Sequence, residues 1–112
     1  LNRNWKANID VKTTQDKVLI RTDLPGVEQS SIKVNVDDGI LTISGERPWS
    51  QDENIEDYHR VERSYGEYSR ALRLPENIDV KAISASYQNG VLEVVLPKLE
   101  NAKAHSIAVT VH

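Results

Sequence analysis

The sequence predicts an all-β fold, an antiparallel immunoglobulin-like β-sandwich of about seven to nine strands. Apolar and polar residues alternate with a period of two along most of the 112 residues, as expected for strands with one buried face. Asp38-Gly39 and Asn89-Gly90 each separate two alternating runs, and such dipeptides supply the positive φ angles of tight hairpins. A chain of this length forms one domain with one core.

The predicted strands follow one another with few interruptions. The first, at about 8–13, has the features of an edge strand, and the second covers 18–24. The second ends in DLPGV (23–27), where Pro25 and Gly26 favour a turn. The remaining alternating segments are 32–36, 40–43, 68–75, 82–87 and 91–96.

Composition excludes several classes of function. The chain has no cysteine, which rules out disulfides and thiolate catalysis and suits a cytoplasmic location. The net charge is −3 and the basic residues are dispersed, so we expect no nucleic-acid binding. No apolar run approaches the ~20 residues of a membrane span, so we expect no integral membrane association. No phosphate-binding loop, zinc-ligand spacing or catalytic arrangement is evident, so we predict a non-enzyme without cofactor or small-molecule substrate.

Three segments do not fit a closed sandwich, and the first is the edge strand at about 8–13. Residues 47–66 form a long polar and charged connection, and loops of that length in compact domains are usually functional or disordered. The acidic residues at 52–57 favour a solvated surface over a metal site. In the tail, alternation returns only at HSIAVTVH (105–112), where no later segment remains to pair with it.

Several motifs together resemble the alpha-crystallin domain of small heat shock proteins. They are DLPGV (23–27), ILTISGER (40–47), ERSYGEYSRALRLP (62–75) and PENIDVKAISASYQNGVLEVVLPK (75–98). Ile107-Ala108-Val109 is similar to the Ile-x-Ile/Val motif of the family tail. The long connection resembles that of bacterial and plant members, which carries an extra strand. The resemblance implies an alpha-crystallin domain at 1–98, with a dimerisation loop at about 47–66, and a C-terminal extension at 99–112.

The resemblance implies that Ile107 and Val109 dock in a groove on a neighbouring subunit. The expected groove has an apolar wall and a wall of small side chains, comprising Ile32, Val34, Val36, Ser84 and Ser86. Burying each tail residue contributes roughly 1.5–3 kcal/mol, against about 1–2 kcal/mol per residue for ordering the backbone. One docking event is therefore weak, and several linked events are effective. Alternatively, residues 107–111 add a strand to their own sheet.

The resemblance also implies that the long loop crosses to a second copy. A segment at about 57–61 would pair with residues 8–13 of the partner and cover an unpaired strand edge. The expected interface residues are Ile9, Val11, Tyr58, Arg60, Val61 and Arg70. The alternatives are a solvated acidic loop or a short amphipathic helix for residues 50–62, and a solvated strand position for Arg70.

The resemblance implies an ATP-independent holdase chaperone that acts as homodimers assembled into larger homo-oligomers. Its partners would be partly unfolded client proteins, which it keeps from aggregating. A CS-domain-type co-chaperone, or another interaction sandwich that binds a folded partner, is the main alternative, but it should lack the long loop and the tail motif. A catalytic or carbohydrate-binding sandwich would need polar or aromatic groups converging at the loop tips, which the sequence does not show.

Overall fold

The computed structural model describes residues 6–50 and 52–99. These residues form seven antiparallel strands in two sheets, so the predicted all-β sandwich is confirmed. The strands are β1 (Ile9–Thr13), β2 (Lys17–Asp23), β3 (Lys33–Asp37), β4 (Ile40–Arg47), β5 (Gly66–Arg73), β6 (Ser84–Gln88) and β7 (Val91–Pro97). Short 3-10 turns occur at Gln29–Ser31, Ile55–Asp57 and Val80–Ala82.

The two predicted hairpins form where the turn dipeptides lie. Asp38 and Gly39 have φ angles of 50° and 74° between β3 and β4. Asn89 and Gly90 have φ angles of 54° and 78° between β6 and β7. Two consecutive positive φ angles give a turn whose twist matches that of the flanking strands, which explains why these dipeptides were reliable signals.

The DLPGV segment ends β2 and redirects the chain to the other sheet. The Val27 amide donates to the Leu24 carbonyl at 3.2 Å, which closes a four-residue turn. Pro25 suits the second position of such a turn, and Gly26, with φ 80°, suits the third. Leu24 and Val27 are buried on either side of the turn and anchor it to the core.

The core lies between the two sheets and is mainly aliphatic. Strands β2, β4 and β7 contribute alternate buried residues, because the side chains of a strand point to opposite faces. The buried apolar residues of these strands that face the other sheet are Val18, Ile20, Leu41, Ile43, Leu92, Val94 and Leu96.

Tyr68 is the largest fully buried side chain, with 1% of its surface exposed. A buried phenol needs a hydrogen-bond partner. Its Oη lies 3.4 Å from Thr22 Oγ1, and Thr22 in turn donates to the Asn8 carbonyl at 3.0 Å. The Thr22 hydroxyl thus accommodates the phenolic hydroxyl of Tyr68 inside the core.

Candidate functional site

The strand order leaves two open sides on the sandwich. One sheet has the order β1-β2-β7-β6 and the other β3-β4-β5. Edge strands β3 and β6 lie along one side, which we call the groove side, and edge strands β1 and β5 lie along the other, which we call the loop side. Edge strands carry unpaired backbone N–H and C=O groups, so both sides can accept further β-structure.

The groove side contains a cavity of about 280 Å³. It lies between the β3 segment and β6, and Leu92 of the buried strand β7 also lines it. The predicted residues Ile32, Val34 and Ser86 are among those brought together there. The complete lining is Gln29, Ile32, Val34, Ala85, Ser86, Tyr87 and Leu92.

The predicted wall of small residues needs correction by one position. Ser84 and Ser86 pair with Val95 and Glu93, whereas Ala85 and Tyr87 pair with Val94 and Leu92. Val94 and Leu92 are buried in the core, so Ala85 and Tyr87 are the inward residues of β6. Sequence alternation alone leaves this register open, and a shift of one residue exchanges the two faces of a strand.

Two predicted groove residues do not line the cavity. Val36 lies on the inner face of β3 and packs against the core, and Ser84 lies at the start of β6. The sequence reasoning also missed Tyr87. Its Oη donates to the Leu24 carbonyl and lies 2.9 Å from the Val27 carbonyl, which ties β6 to the DLPGV turn. The available signal was an aromatic residue within an otherwise small-residue strand.

The loop side presents apolar and cationic groups. Val11 of β1 is 54% exposed, and Ile9 is half-buried against the core, so the predicted edge strand is confirmed. Arg70 of β5 is exposed beside a cavity of about 260 Å³ that Lys6, Ala7, Tyr68 and Ser69 also line. Ile9, Val11 and Arg70 therefore lie on the same side of the sandwich.

The other predicted interface residues lie on the loop that joins β4 to β5. In this single chain, residues 57–61 form no strand, and only Ile55–Asp57 forms a 3-10 turn. Tyr58 is 42% exposed, and Arg60 pairs with Glu62 at 2.7 Å on the surface, a pair that contributes little to stability. Tyr58 Oη donates to Glu53 Oε2 at 3.0 Å, and this bond raises the pKa of Tyr58 above its usual value.

Arg47 connects the start of the loop to its end. Its Nε donates to the Ser64 carbonyl at 2.7 Å and its guanidinium also donates to the Pro25 carbonyl at 2.6 Å. Burial lowers the pKa of the Arg47 guanidinium, and the charge of Arg63 adds to the effect. Arginine nevertheless stays protonated in proteins, so the guanidinium remains a charged donor at this position. The sequence reasoning treated Arg47 only as part of a motif.

Within residues 6–50 and 52–99, no group of His, Asp and Glu side chains is arranged to hold a metal ion. The same residues contain no helix of the length and hydrophobicity needed to cross a bilayer. The tail residues Ile107 and Val109 lie outside the described residues, as does most of the predicted extension.

The comparisons with known proteins identify the family. Residues 10–112 match the Hsp20/alpha crystallin family, and the chain therefore belongs to it. The chain is 45% identical over 98 residues to a 17.8 kDa class I heat shock protein of Arabidopsis thaliana, with 87% of this chain and 62% of the relative covered. A 17.7 kDa class I heat shock protein of Oryza sativa is 49% identical with the same coverage. The chain thus spans about three-fifths of the length of these relatives.

Solved structures of small heat shock proteins share the fold. A small heat-shock protein from Xylella fastidiosa superimposes with a TM-score of 0.80 at 35% identity, covering 95% of this chain and 97% of that one. Heat shock protein 16.0 from Schizosaccharomyces pombe gives a TM-score of 0.78 at 38% identity, covering 95% and 99%. The resemblance drawn from the motifs is confirmed, and membership of this family of heat shock proteins agrees with the prediction that the chain is not an enzyme.

Proposed function

We propose that the protein is an ATP-independent holdase chaperone that works as homodimers linked into larger homo-oligomers. The observation that carries this proposal is the pair of open sides, each bordered by two edge strands. One side offers a groove and the other an exposed apolar strand edge. A sandwich with two such sides can add β-structure from neighbouring copies. When those copies dissociate, the same apolar surface becomes available to unfolded clients.

On the groove side, the proposed occupant is the segment around Ile107 and Val109 of another copy. Ile32 and Val34 provide an apolar wall, and Leu92 and Tyr87 are the core-facing residues that line the cavity. Each buried aliphatic side chain contributes about 1.5–3 kcal/mol, so two of them roughly balance the cost of ordering the backbone of residues 107–109, at about 1–2 kcal/mol per residue. Docking is then individually reversible and collectively stable, which suits an assembly whose subunits exchange.

On the loop side, the proposed occupant is the β4–β5 loop of the partner. Three cationic side chains lie on or beside the two edge strands and form no ion pair among the described residues, namely Lys6, Lys12 and Arg70. The loop contains four acidic residues for which the described part of the chain likewise shows no cationic partner, namely Asp52, Glu53, Glu56 and Asp57. This complementarity supports pairing of the loop of one copy with β1 of the other.

The test is an aggregation-suppression assay without nucleotide, run beside light scattering for particle mass. We expect the chain to keep a heat-denatured client in solution at near-stoichiometric ratios. Val109→Asp places a charge in the groove and should shift large assemblies toward dimers. Thr110→Asp, which introduces the same charge at a position that alternates to the opposite face of an extended tail segment, is the matched control and should leave the mass unchanged. Unprotected clients would contradict the chaperone proposal, and an unchanged mass for Val109→Asp would contradict tail docking.

We also propose a cytoplasmic location and no nucleic-acid partner. The absence of cysteine and the dispersed basic residues support these assignments. The Xylella fastidiosa relative is described as having a distinct high order structure, which supports assembly beyond the dimer for this chain.

A further inference from the structure

The loop between β4 and β5 has an aromatic cluster of its own, comprising Trp49, Tyr58 and Tyr65. The Trp49 ring centroid lies 4.9 Å from that of Tyr58 and 4.9 Å from that of Tyr65. The rings are tilted by 60° and 79°, close to the edge-to-face geometry that aromatic pairs prefer. Trp49 is half-buried, although every residue from 52 to 60 is exposed.

Hydrogen bonds inside the loop fix the same arrangement. Trp49 Nε1 donates to the Glu53 carbonyl at 3.1 Å, and Tyr58 Oη donates to Glu53 Oε2 at 3.0 Å. Glu53 is therefore held by both rings that flank it. The Asn54 side chain accepts from the Glu56 amide at 3.0 Å and caps the 3-10 turn. These contacts join the two halves of the loop to each other without using the sandwich.

The base of the loop is closed by Arg47, which donates to the carbonyl of Ser64 at the far end. Arg47 and Arg63 also lie 6.0 Å and 5.6 Å from the centroid of the Tyr65 ring, within the range of cation–π attraction. The aromatic cluster thus continues into the point where both ends of the loop leave the sheet.

The tip of the loop is not held in place by substantial packing on the strands. The 3-10 turn Ile55–Asp57 has no substantial contact with any strand, whereas the turns at Gln29–Ser31 and Val80–Ala82 pack on β4 and β7. Ile55 and Tyr58 remain 46% and 42% exposed on the loop surface. The loop is therefore a small unit with internal order and an unused apolar exterior.

We infer that Trp49 is a positioning residue, and that the cluster of Trp49, Tyr58 and Tyr65 folds the loop into a preformed unit before it meets a second copy of the chain. Ordering a flexible loop opposes association, and a loop that is already ordered avoids that cost. The inference rests on the exchange dimer proposed above and adds that the loop reaches its partner already folded.

The first experiment measures dimer affinity by sedimentation over a dilution series. Trp49→Ala should weaken the dimer about tenfold or more, since two aromatic pairs are lost. Trp49→Phe should restore most of the affinity because it keeps a ring between the tyrosines. Val80→Ala, which shortens a side chain that is 55% exposed outside the loop, is the control and should leave the affinity unchanged. Far-UV circular dichroism checks that the sandwich is intact in each variant.

The second experiment follows the cluster itself in a chain with unaltered loop. The sequence contains two tryptophans, so Trp5→Phe leaves Trp49 as the only one. We expect its emission and near-UV circular dichroism to stay constant as dimers dilute to monomers. A shift toward the spectrum of exposed tryptophan would overturn the inference, as would a Trp49→Ala chain that dimerises like the wild type. A wild-type chain that is monomeric at every concentration would instead overturn the exchange dimer.

Discussion

The hydroxyl of Tyr87 links the groove to the DLPGV turn, and Tyr87→Phe tests that link directly. The substitution keeps the ring and therefore leaves no cavity in the groove side of the core. It removes the Oη group that lies against the Leu24 and Val27 carbonyls. Tyr87 has one phenolic proton, so the two carbonyls share it.

The expected cost follows from what each carbonyl retains. Leu24 O still accepts from the Val27 amide at 3.2 Å, whereas Val27 O has no other donor among the described residues. Val27 is 4% exposed. A typical hydrogen bond contributes a net 0.5–1.5 kcal/mol, and a buried unsatisfied group costs about 1–3 kcal/mol. We expect the free energy of unfolding to fall by about 1–2 kcal/mol, and the melting temperature by about 4–8 °C for a domain of this size.

The assay is denaturant unfolding at one fixed protomer concentration, because assembly also contributes to apparent stability. Binding of a labelled peptide with the sequence of residues 104–112 reports on the groove and should weaken severalfold, because β6 loses its tie to the turn. Tyr65→Phe is the control, since its Oη accepts only an exposed bond from Arg63 at 3.3 Å and should cost less than about 0.5 kcal/mol. A Tyr87→Phe chain as stable as the wild type would refute this account of the groove.

Three further predictions concern the turn, the loop side and the loop. Gly26→Ala should destabilise the protein more than Gly39→Ala. Both glycines have a positive φ, but only at Gly26 would the new Cβ meet a neighbour, Arg47 Cδ at 3.1 Å. The melting temperatures of the two variants test this order. Val11→Asp should lower the dimer affinity at least about tenfold. It should reduce the free energy of unfolding of the monomer by less than about 0.5 kcal/mol, because the side chain is 54% exposed. Sedimentation measures the first effect and denaturant unfolding the second, and an unchanged dimer affinity would contradict the interface. Tyr58 should ionise at a higher pH than an ordinary tyrosine, because the hydrogen bond to Glu53 favours the neutral phenol. The stabilisation that this bond gives the loop is complete below about pH 10 and is lost as the pH rises through the raised pKa of Tyr58. Glu53→Gln should return the phenolate absorbance transition of Tyr58 toward its usual pH.

Much of the fold could be predicted because its signals are local. Alternation gives the strands, and the twist of a hairpin needs the positive φ angles that Asp38-Gly39 and Asn89-Gly90 supply. The edge position of β1 was also predicted, and the strand order confirms it. On the groove side, the apolar residues Ile32 and Val34, which were predicted from the alternation, line the same cavity.

The inward face of β6 could not be read in the same way. Small and polar residues occupy most of its positions, so no strong hydrophobic pattern sets the face, and the pairing with β7 decides it instead. The result places Ala85 and Tyr87 inward and Ser84 and Ser86 outward. Of the two predicted serines, Ser86 lines the cavity and Ser84 does not, and the aromatic lining residue Tyr87 was not predicted.

The sequence alone determined the class of protein, the strands and the two hairpin turns, because each depends on residues within a few positions of one another. The tertiary structure alone decided that β3, β5 and β6 became edges, which face β6 buries, and how Tyr87 reaches carbonyls 60 and 63 residues away. It also assembled Trp49 with Tyr65 and joined Arg47 to Ser64. Such contacts join segments distant in the chain, and their geometry follows from the packing of both sheets, which no local pattern encodes.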